Sequence, residues 1–340
     1  MQRASVPVTI SVIPAGKLRR YQHFHWYDYA LKPSIIFGNL VDIFKVAAGF
    51  IKSVWIIKRW KPDAIFAKGG YVCLPMGWAA RVCRVPLVLH DSDARPGLTN
   101  RLLARYATVI ATGYPLNFYN YPPKKAVYTG VPIDQSFQPT TPQTTARRKE
   151  ALGYKADDLL VVALGGGLGA TSINNAMIAS ASKLETQGVK LYIIAGKQHG
   201  EQVRSQAKTL TNVAAVDFIA SDMAEVLGAA DVVVTRASAT ALQELAGLGQ
   251  TCVIVPSFAL GDQQKNAQLY KEAKAGVVLS DKEISQPDVF YTTIQKLLHD
   301  KDLRRTLQRN IHAFWRPNAA RDVAELIHKA AKKKRGNHGS

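Results

Sequence analysis

The sequence predicts an α/β protein: parallel sheets with covering helices, divided between two domains. Three observations carry this. Short apolar runs alternate with helix-length segments along most of the chain. Two loops of small residues each join an apolar run to a helix, where parallel strands meet a ligand. A length of 340 residues exceeds what one core usually organises, and a Pro- and Thr-rich stretch lies near the middle.

Val8 to Ile13 reads as a first strand, followed by Pro14 to Arg20 and an aromatic cluster of Tyr21, Phe24, Trp26, Tyr27 and Tyr29. Ile36 to Trp60 is long and amphipathic, with Phe37, Phe44, Phe50 and Trp55 set among lysines. That mixture fits either a core helix or one resting on a membrane. Lys61-Pro62-Asp63 ends it. Ala64 to Ala67 is a strand, and the loop Lys68 to Val72 leads to a helix through Ala79 and Ala80. Pro86 to His90 is a buried strand, Asp91 to Gly97 a polar loop, and Leu98 to Tyr106 a helix. Residues 135–155, with Pro139, Pro142 and a Thr run, read as a linker. Strand and helix alternate again to about residue 290, and a basic helix from about Leu303 to Lys334 closes the chain.

Charge is unevenly placed. Residues 1–150 carry 21 basic against 7 acidic side chains, residues 151–300 carry 12 against 15, and residues 301–340 carry 11 against 3. Nucleic acid and an anionic membrane surface are the usual partners of such a field. No helix-turn-helix, zinc finger or aromatic strand-binding motif is visible, so a membrane surface is expected and nucleic acid is not. The run Lys332 to Arg335 is a solvated tail that adds to such attraction. Cys73, Cys83 and Cys252 are scattered in apolar segments, the pattern of reduced thiols in a cytoplasmic protein. Histidines show no metal-ligand spacing, no secretory leader is expected from Met1 to Pro7, and lysines interrupt every long apolar run.

The most informative segment is Asp231 to Asn266. An apolar strand ends in Arg236-Ala237-Ser238-Ala239-Thr240, which opens a helix and leaves free N–H groups for an anion. Glu244 follows one turn later, a lone carboxylate able to accept two ribose hydroxyls. The alternative is an ordinary capped helix with an early acid. A second loop, Gly165 to Ala170, follows the apolar run Leu159 to Leu164. It departs from strict G-x-G-x-x-G spacing, and the next strand ends without an acid, so a nucleotide-sugar fits better than a dinucleotide.

Seven stretches occur in a specific order: IPAGKLRRY at 13–21, KPDAIFAKGGYV at 61–72, RPGLTNRLLAR at 95–105, TGVP at 129–132, GGGLGA at 165–170, DMAEVLGAADVVVTRASA at 222–239 and QELAGLG at 243–249. In these the chain resembles, over almost its whole length, the bacterial UDP-N-acetylglucosamine:lipid I N-acetylglucosaminyltransferases (the MurG family). Those are GT-B glycosyltransferases, two Rossmann-like domains with a cleft between them. The resemblance implies inverting transfer of GlcNAc from UDP-GlcNAc to the muramyl C4 hydroxyl of undecaprenyl-linked lipid I, giving lipid II in peptidoglycan synthesis. It implies a peripheral protein on the cytoplasmic face of the membrane, with no metal or other cofactor.

Position by position, the resemblance places Gly166, Gly167 and Gly169 against the UDP phosphates. Arg236, Ser238, Ala239 and Thr240 complete that anion site, and Glu244 holds the ribose. Asp93, Gln263 and Gln264 face the donor sugar. Gly69, Gly70, Tyr71, Thr99, Asn100 and Arg101 face the acceptor pyrophosphate. Residues 1–134 become an acceptor and membrane-facing domain, 135–155 a linker, 156–302 the UDP-sugar domain, 303–330 a helix packing back on the first domain, and 331–340 a basic tail.

The sequence departs from the family pattern in four places. The family opens with a strand and a GGTGGH loop whose His is its usual candidate base. The first matched element here lies past that loop, so the first domain is expected to be incomplete at its N-terminus. The alternative function is therefore a membrane-associated UDP-sugar-binding module that needs a further segment or partner. HEQN becomes His90-Asp91-Ser92-Asp93, and TGNPVR becomes Thr129 to Asp134, with Asp where Arg stands. The loop Ser and Gln become Gly167 and Leu168. His90 is left as candidate base, against a structural role on its strand.

Overall fold

The structure, a computed structural model, describes residues 8–16, 33–165 and 170–336. The aromatic cluster at 21–29, the glycines at 166–169 and the end of the basic tail lie outside the described residues.

Strands β1 (Ile65–Ala67), β2 (Leu87–Asp91), β3 (Val109–Thr112) and β4 (Ala126–Tyr128) form a parallel sheet in that order. Every residue of β2 is buried, as expected of a central parallel strand covered on both faces. The covering helices are α1 (Pro33–Trp60), α2 (Cys73–Val82) and α3 (Leu98–Leu103), the last continued by a 3₁₀ turn through Tyr106. α1 buries one face and exposes the other. Ser53 and Ile57 are buried, and Phe50 and Val54 pack on a cluster containing Ala79 and Val85. The other face exposes Phe37, Leu40, Phe44, Ile51 and Trp55, with Lys45, Lys52 and Lys58 beside them.

Residues 8–16 differ from expectation. They form no strand pairing, and Val8, Ile10 and Val12 are exposed. A strand needs a neighbour to take its backbone hydrogen bonds, which alternation alone does not supply. Instead, Pro14 and Gly16 lie against the backbone of α1 at Gly49 and Asp42, contacts too close for a side chain at either glycine.

The second sheet contains β5 (Leu159–Leu164), β6 (Val189–Ile194), β7 (Val213–Val216), β8 (Val232–Thr235), β9 (Cys252–Ile254) and β10 (Val277–Val278). Its order is β7-β6-β5-β8-β9-β10, all parallel. Leu160 and Val162 face one core and Val161 and Ala163 the other, which is why β5 reads as an unbroken apolar run.

The stretch expected as a linker carries a helix, α4 (Pro142–Ala151). Thr141 and Thr144 form a capping box, and Pro142 takes a first-turn position where its missing N–H costs nothing. Lys149 then reaches Asp231 at 2.8 Å, and Arg148 reaches Glu225 at 3.2 Å. These ion pairs fasten α4 to the second domain. Further helices are α5 (Thr171–Glu185), α6 (Gly200–Ala207), α7 (Met223–Ala229), α8 (Ala239–Leu248), α9 (Gly261–Glu272), α10 (Asp281–Ile284) and α11 (Pro287–His299).

The closing helix is two helices, α12 (Lys301–His312) and α13 (Ala319–Gly336). Pro317 lies in the break, where it has no N–H to continue a helical ladder. Only α13 returns to the first domain, where Lys334 donates to Pro62 O at 2.9 Å. α12 stays on α8, with His312 Nδ1 3.0 Å from Ala246 O.

Candidate functional site

Strand order in the second sheet reverses between β5 and β8. The helices leave these strands on opposite sides, so a crevice opens beyond their C-terminal ends, the place where α/β sheets bind ligands. Leu164 pairs with Thr235, which sets Gly165 beside Arg236 at its floor. The N-termini of α5 and α8 both start at this edge. Ser238 caps α8, its Oγ accepting from Ala241 N–H at 3.3 Å. Thr240 is exposed in the first turn and Ala239 is buried. Backbone amides at such helix starts can take an anion.

Glu244 accepts no hydrogen bond from the described residues in the structure, yet it is largely buried. Burial, with the nearby Asp134 charge adding to it, pushes its carboxyl up to about 7. A carboxylate held so, one turn from such a helix start, suits a pair of ribose hydroxyls. Arg236 is not free for phosphate. Its guanidinium meets Asp281 Oδ1 at 2.8 Å, Ser172 Oγ at 3.1 Å and Val255 O at 3.2 Å. It ties the end of β8 to α5 and α10, and burial of Asp281 is outweighed by its bonds to Ser172 and Arg236, which hold its carboxyl low.

The two glutamines are also engaged. Gln263 Oε1 accepts from Ser257 N–H at 2.9 Å, and Gln264 Nε2 donates to Ser257 O at 3.2 Å. Both brace the 255–260 loop, leaving one polar atom each toward solvent or ligand. Tyr270 of this helix packs edge-on against Tyr114 of the first domain, and the residue that meets the 91–97 loop is Asn266. It is fully buried. Its Oδ1 accepts from Ala94 N–H at 2.9 Å, and its Nδ2 donates to Asp93 Oδ1 at 2.8 Å and Ala237 O at 3.0 Å. Asp93 is thereby a strut between domains before it is anything for a sugar. Burial raises its carboxyl, against the pull of the Asn266 bond. The i, i+3 spacing from Gln263 to Asn266 was the available signal for this residue.

On the first-domain wall, Gly69 and Gly70 have φ of +81° and +84°, conformations that favour glycine. Nothing lies within 4 Å of where a Gly70 side chain would be, so the loop presents open backbone. Tyr71 and Arg101 are exposed, and Thr99 is half-buried. Asn100 is different: it is 2% exposed and donates to His90 O at 3.2 Å. It supports the wall from behind.

Both ring nitrogens of His90 are engaged. Its Nε2 is 2.9 Å from Gly130 O, which can only accept, so Nε2 carries the proton. Nδ1 then accepts from Ser92 Oγ at 3.1 Å. Burial drives the imidazole down to about 4. The neighbouring Asp91 is 4% exposed and takes a 2.7 Å bond from Tyr121 OH. Burial lifts its carboxyl to about 6. Gly166, Gly167 and Gly169 lie outside the described residues. Among the described residues, no group of three or more His, Cys, Asp or Glu side chains is placed to hold a metal ion.

Comparison with known proteins agrees with this geometry. Residues 4–112 match the glycosyltransferase family 28 N-terminal domain, and residues 160–327 match its C-terminal domain. A Treponema denticola protein described as UDP-N-acetylglucosamine–N-acetylmuramyl-(pentapeptide) pyrophosphoryl-undecaprenol N-acetylglucosamine transferase is 31% identical over 304 residues, covering 86% of this chain and 73% of that one. A Bacillus subtilis protein of the same description is 29% identical over 306 residues, covering 88% and 83%. The crystal structure of Acinetobacter baumannii MurG superposes with a TM-score of 0.69 at 26% identity, covering 85% and 79%. A Neisseria meningitidis UDP-GlcNAc 2-epimerase bound to UDP-GlcNAc shares the fold alone, with a TM-score of 0.61 at 13% identity. Two parallel sheets facing across a cleft, with a sheet reversal at its floor and these matches along both halves, place the chain in the MurG family of UDP-N-acetylglucosamine transferases.

Proposed function

We propose that this chain transfers GlcNAc from UDP-GlcNAc to the muramyl C4 hydroxyl of undecaprenyl-pyrophosphoryl-MurNAc-peptide. The observation that carries the donor half is Glu244, a largely buried carboxylate one turn into α8 that takes no hydrogen bond among the described residues, beside the helix-start amides at the sheet reversal. The uracil nucleotide lies along this edge, with phosphates on the α5 and α8 N-termini and ribose on Glu244. The muramyl oxygen attacks C1 of GlcNAc from the face opposite UDP. The C1–O bond to phosphate breaks, UDP leaves with the electron pair, and the configuration inverts. The hydroxyl proton passes to a base on the acceptor side. Oriented amides meet the charge that grows on the diphosphate as the bond breaks.

The acceptor pyrophosphate rests on the open Gly69-Gly70-Tyr71 backbone, with Arg101 and Lys68 near. The protein sits peripherally on the cytoplasmic face of the membrane, its exposed α1 face in the interface and its lysines among anionic headgroups. No helix among the described residues is long and apolar enough to cross a membrane.

The test is transfer of labelled GlcNAc by the purified chain to lipid I in detergent. Formation of the disaccharide product, abolished when UDP-GlcNAc is replaced by UDP-glucuronic acid, supports the reading. UDP-GlcNAc binding with no transfer to any lipid-linked muramyl acceptor would overturn it.

A further inference from the structure

An apolar channel of about 600 Å³ lies in the first domain between α1 and α2, outside the cleft. Val46, Ala47 and Phe50 wall it on one side, and Leu74, Trp78 and Val82 on the other. These positions repeat at helical spacing, so each helix contributes one apolar stripe. The stripes close on each other further along, where Val54 and Ile57 join the core, and remain apart here. The channel's acid, Asp42, is buried and faces Lys45 at 3.5 Å, so it presents no free charge. Arg81 and Arg105 also line it, and both are exposed.

Two further observations give the channel a direction. α2 begins directly after Gly69-Gly70-Tyr71, and Leu74 stands in its first turn. From Leu74 to Val82 the channel therefore runs about 12 Å away from the acceptor loop. Ile43 and Ala47 line the channel and are also exposed on α1. Its mouth thus opens onto the same apolar and cationic surface that carries Phe44 and Lys45.

We propose that this channel holds the first isoprene units of the acceptor's lipid chain, between the pyrophosphate at the Gly69 loop and the membrane. The inference rests on the acceptor reading above. An isoprenoid is branched, flexible and free of polar atoms, which matches walls built mostly of Ile43, Val46, Phe50, Leu74 and Val82 side chains. The exposed arginines match the anionic headgroups that surround the chain where it leaves the protein. The channel thereby lets the enzyme grip a lipid-linked acceptor by contacts beyond its sugar and phosphate.

The test uses the full chain in solution, without membrane or detergent. Two synthetic acceptors are compared: muramyl-peptide pyrophosphate carrying two isoprene units, and the same pyrophosphate carrying a methyl group. The expected result is a KM roughly tenfold lower for the isoprenyl acceptor, the gain from burying about two methylene-sized groups. Ala47→Phe, which fills the channel from an exposed helix position, removes that preference and leaves the UDP-GlcNAc KM unchanged. Phe37→Ser, on the outer face of α1, weakens vesicle binding and keeps the preference. Equal KM values for the two acceptors at normal turnover overturn the proposal, as does a preference that survives both Ala47→Phe and Ile43→Asp. Absence of turnover with either acceptor, while UDP-GlcNAc still binds, instead overturns the transferase reading on which it rests.

Discussion

Asn266 joins the two domains beside the sheet reversal, and its replacement by Asp tests whether that joint matters. The substitution keeps shape and turns the donor facing Asp93 into an acceptor. Two carboxylates would then stand at the 2.8 Å separation of the present bond. Full charges there, at an effective dielectric near 20, repel by roughly 6 kcal/mol. The pair escapes most of this by retaining one proton. Holding a proton at neutral pH on a group that ordinarily titrates near 4 costs about 4 kcal/mol. The retained proton forms a hydrogen bond worth about 1 kcal/mol, and the lost bond to Ala237 O removes about as much. Burial already raises Asp93, which trims the total, so about 3–4 kcal/mol is expected near pH 7. The cost falls by about 1.4 kcal/mol for each pH unit below that, because the shared proton becomes easier to hold.

The assay is chemical denaturation of the full chain, with turnover measured in parallel, near pH 7 and near pH 5.5. The double variant Asp93→Asn with Asn266→Asp restores an amide–carboxylate pair but leaves Ala237 O facing an oxygen. It should recover about half of the loss. A penalty that is the same at both pH values, or a double variant no better than Asn266→Asp alone, would refute the reasoning.

Three more outcomes are expected. Glu244→Gln should stabilise the ligand-free protein near pH 8 by at most about 3 kcal/mol, since a carboxyl raised from 4.5 to about 7 destabilises the fold progressively as pH rises through that window and not below it. The same variant should weaken UDP by roughly tenfold or more while leaving 2′,3′-dideoxy-UDP nearly unaffected in calorimetry; equal losses for both ligands would remove Glu244 from the ribose. His90, lowered from 6.5 to about 4, contributes stability that is complete above its unfolded value and lost as pH falls toward 4, so His90→Phe should flatten the acid side of the stability profile and cost about 2 kcal/mol at neutral pH. Should His90→Phe instead fold normally and lose all turnover, the ring is chemical and not structural. Replacing Phe37, Phe44 and Trp55 together by Ser should release the protein from anionic vesicles in sedimentation at moderate salt with little change in melting temperature, because all three are more than half exposed.

The sequence carried the α/β architecture because its signals are local. β5 and β8 are apolar runs that must be buried on both faces, and mostly small residues follow each, Gly165 to Ala170 after one and Ala237 to Ala239 after the other. A capped α8 with Glu244 one turn inside it follows from consecutive residues, so this part of the candidate site could be read in order along the chain. Helix α4 was readable in principle, since Thr141-Pro142 is a helix start, but Pro and Thr in number read equally well as linker. Pro317 likewise marked a break within the closing helix.

What the tertiary structure decided were pairings across distance. Whether Val8 to Val12 forms a strand depends on a neighbour, and alternation cannot report one. His90 is a structural ring because Gly130, 40 residues away, accepts its proton. Arg236 is bound by Asp281, 45 residues on, and is therefore a clamp as much as a charge. Asn266 becomes the joint of the cleft only when Asp93 and Ala94, 173 and 172 residues earlier, fold against it. A sequence fixes which groups can donate, accept or ionise, and local spacing fixes the elements that carry them. Which of those groups stay free for a ligand is settled by burial and by partners that only the folded chain brings within hydrogen-bond reach.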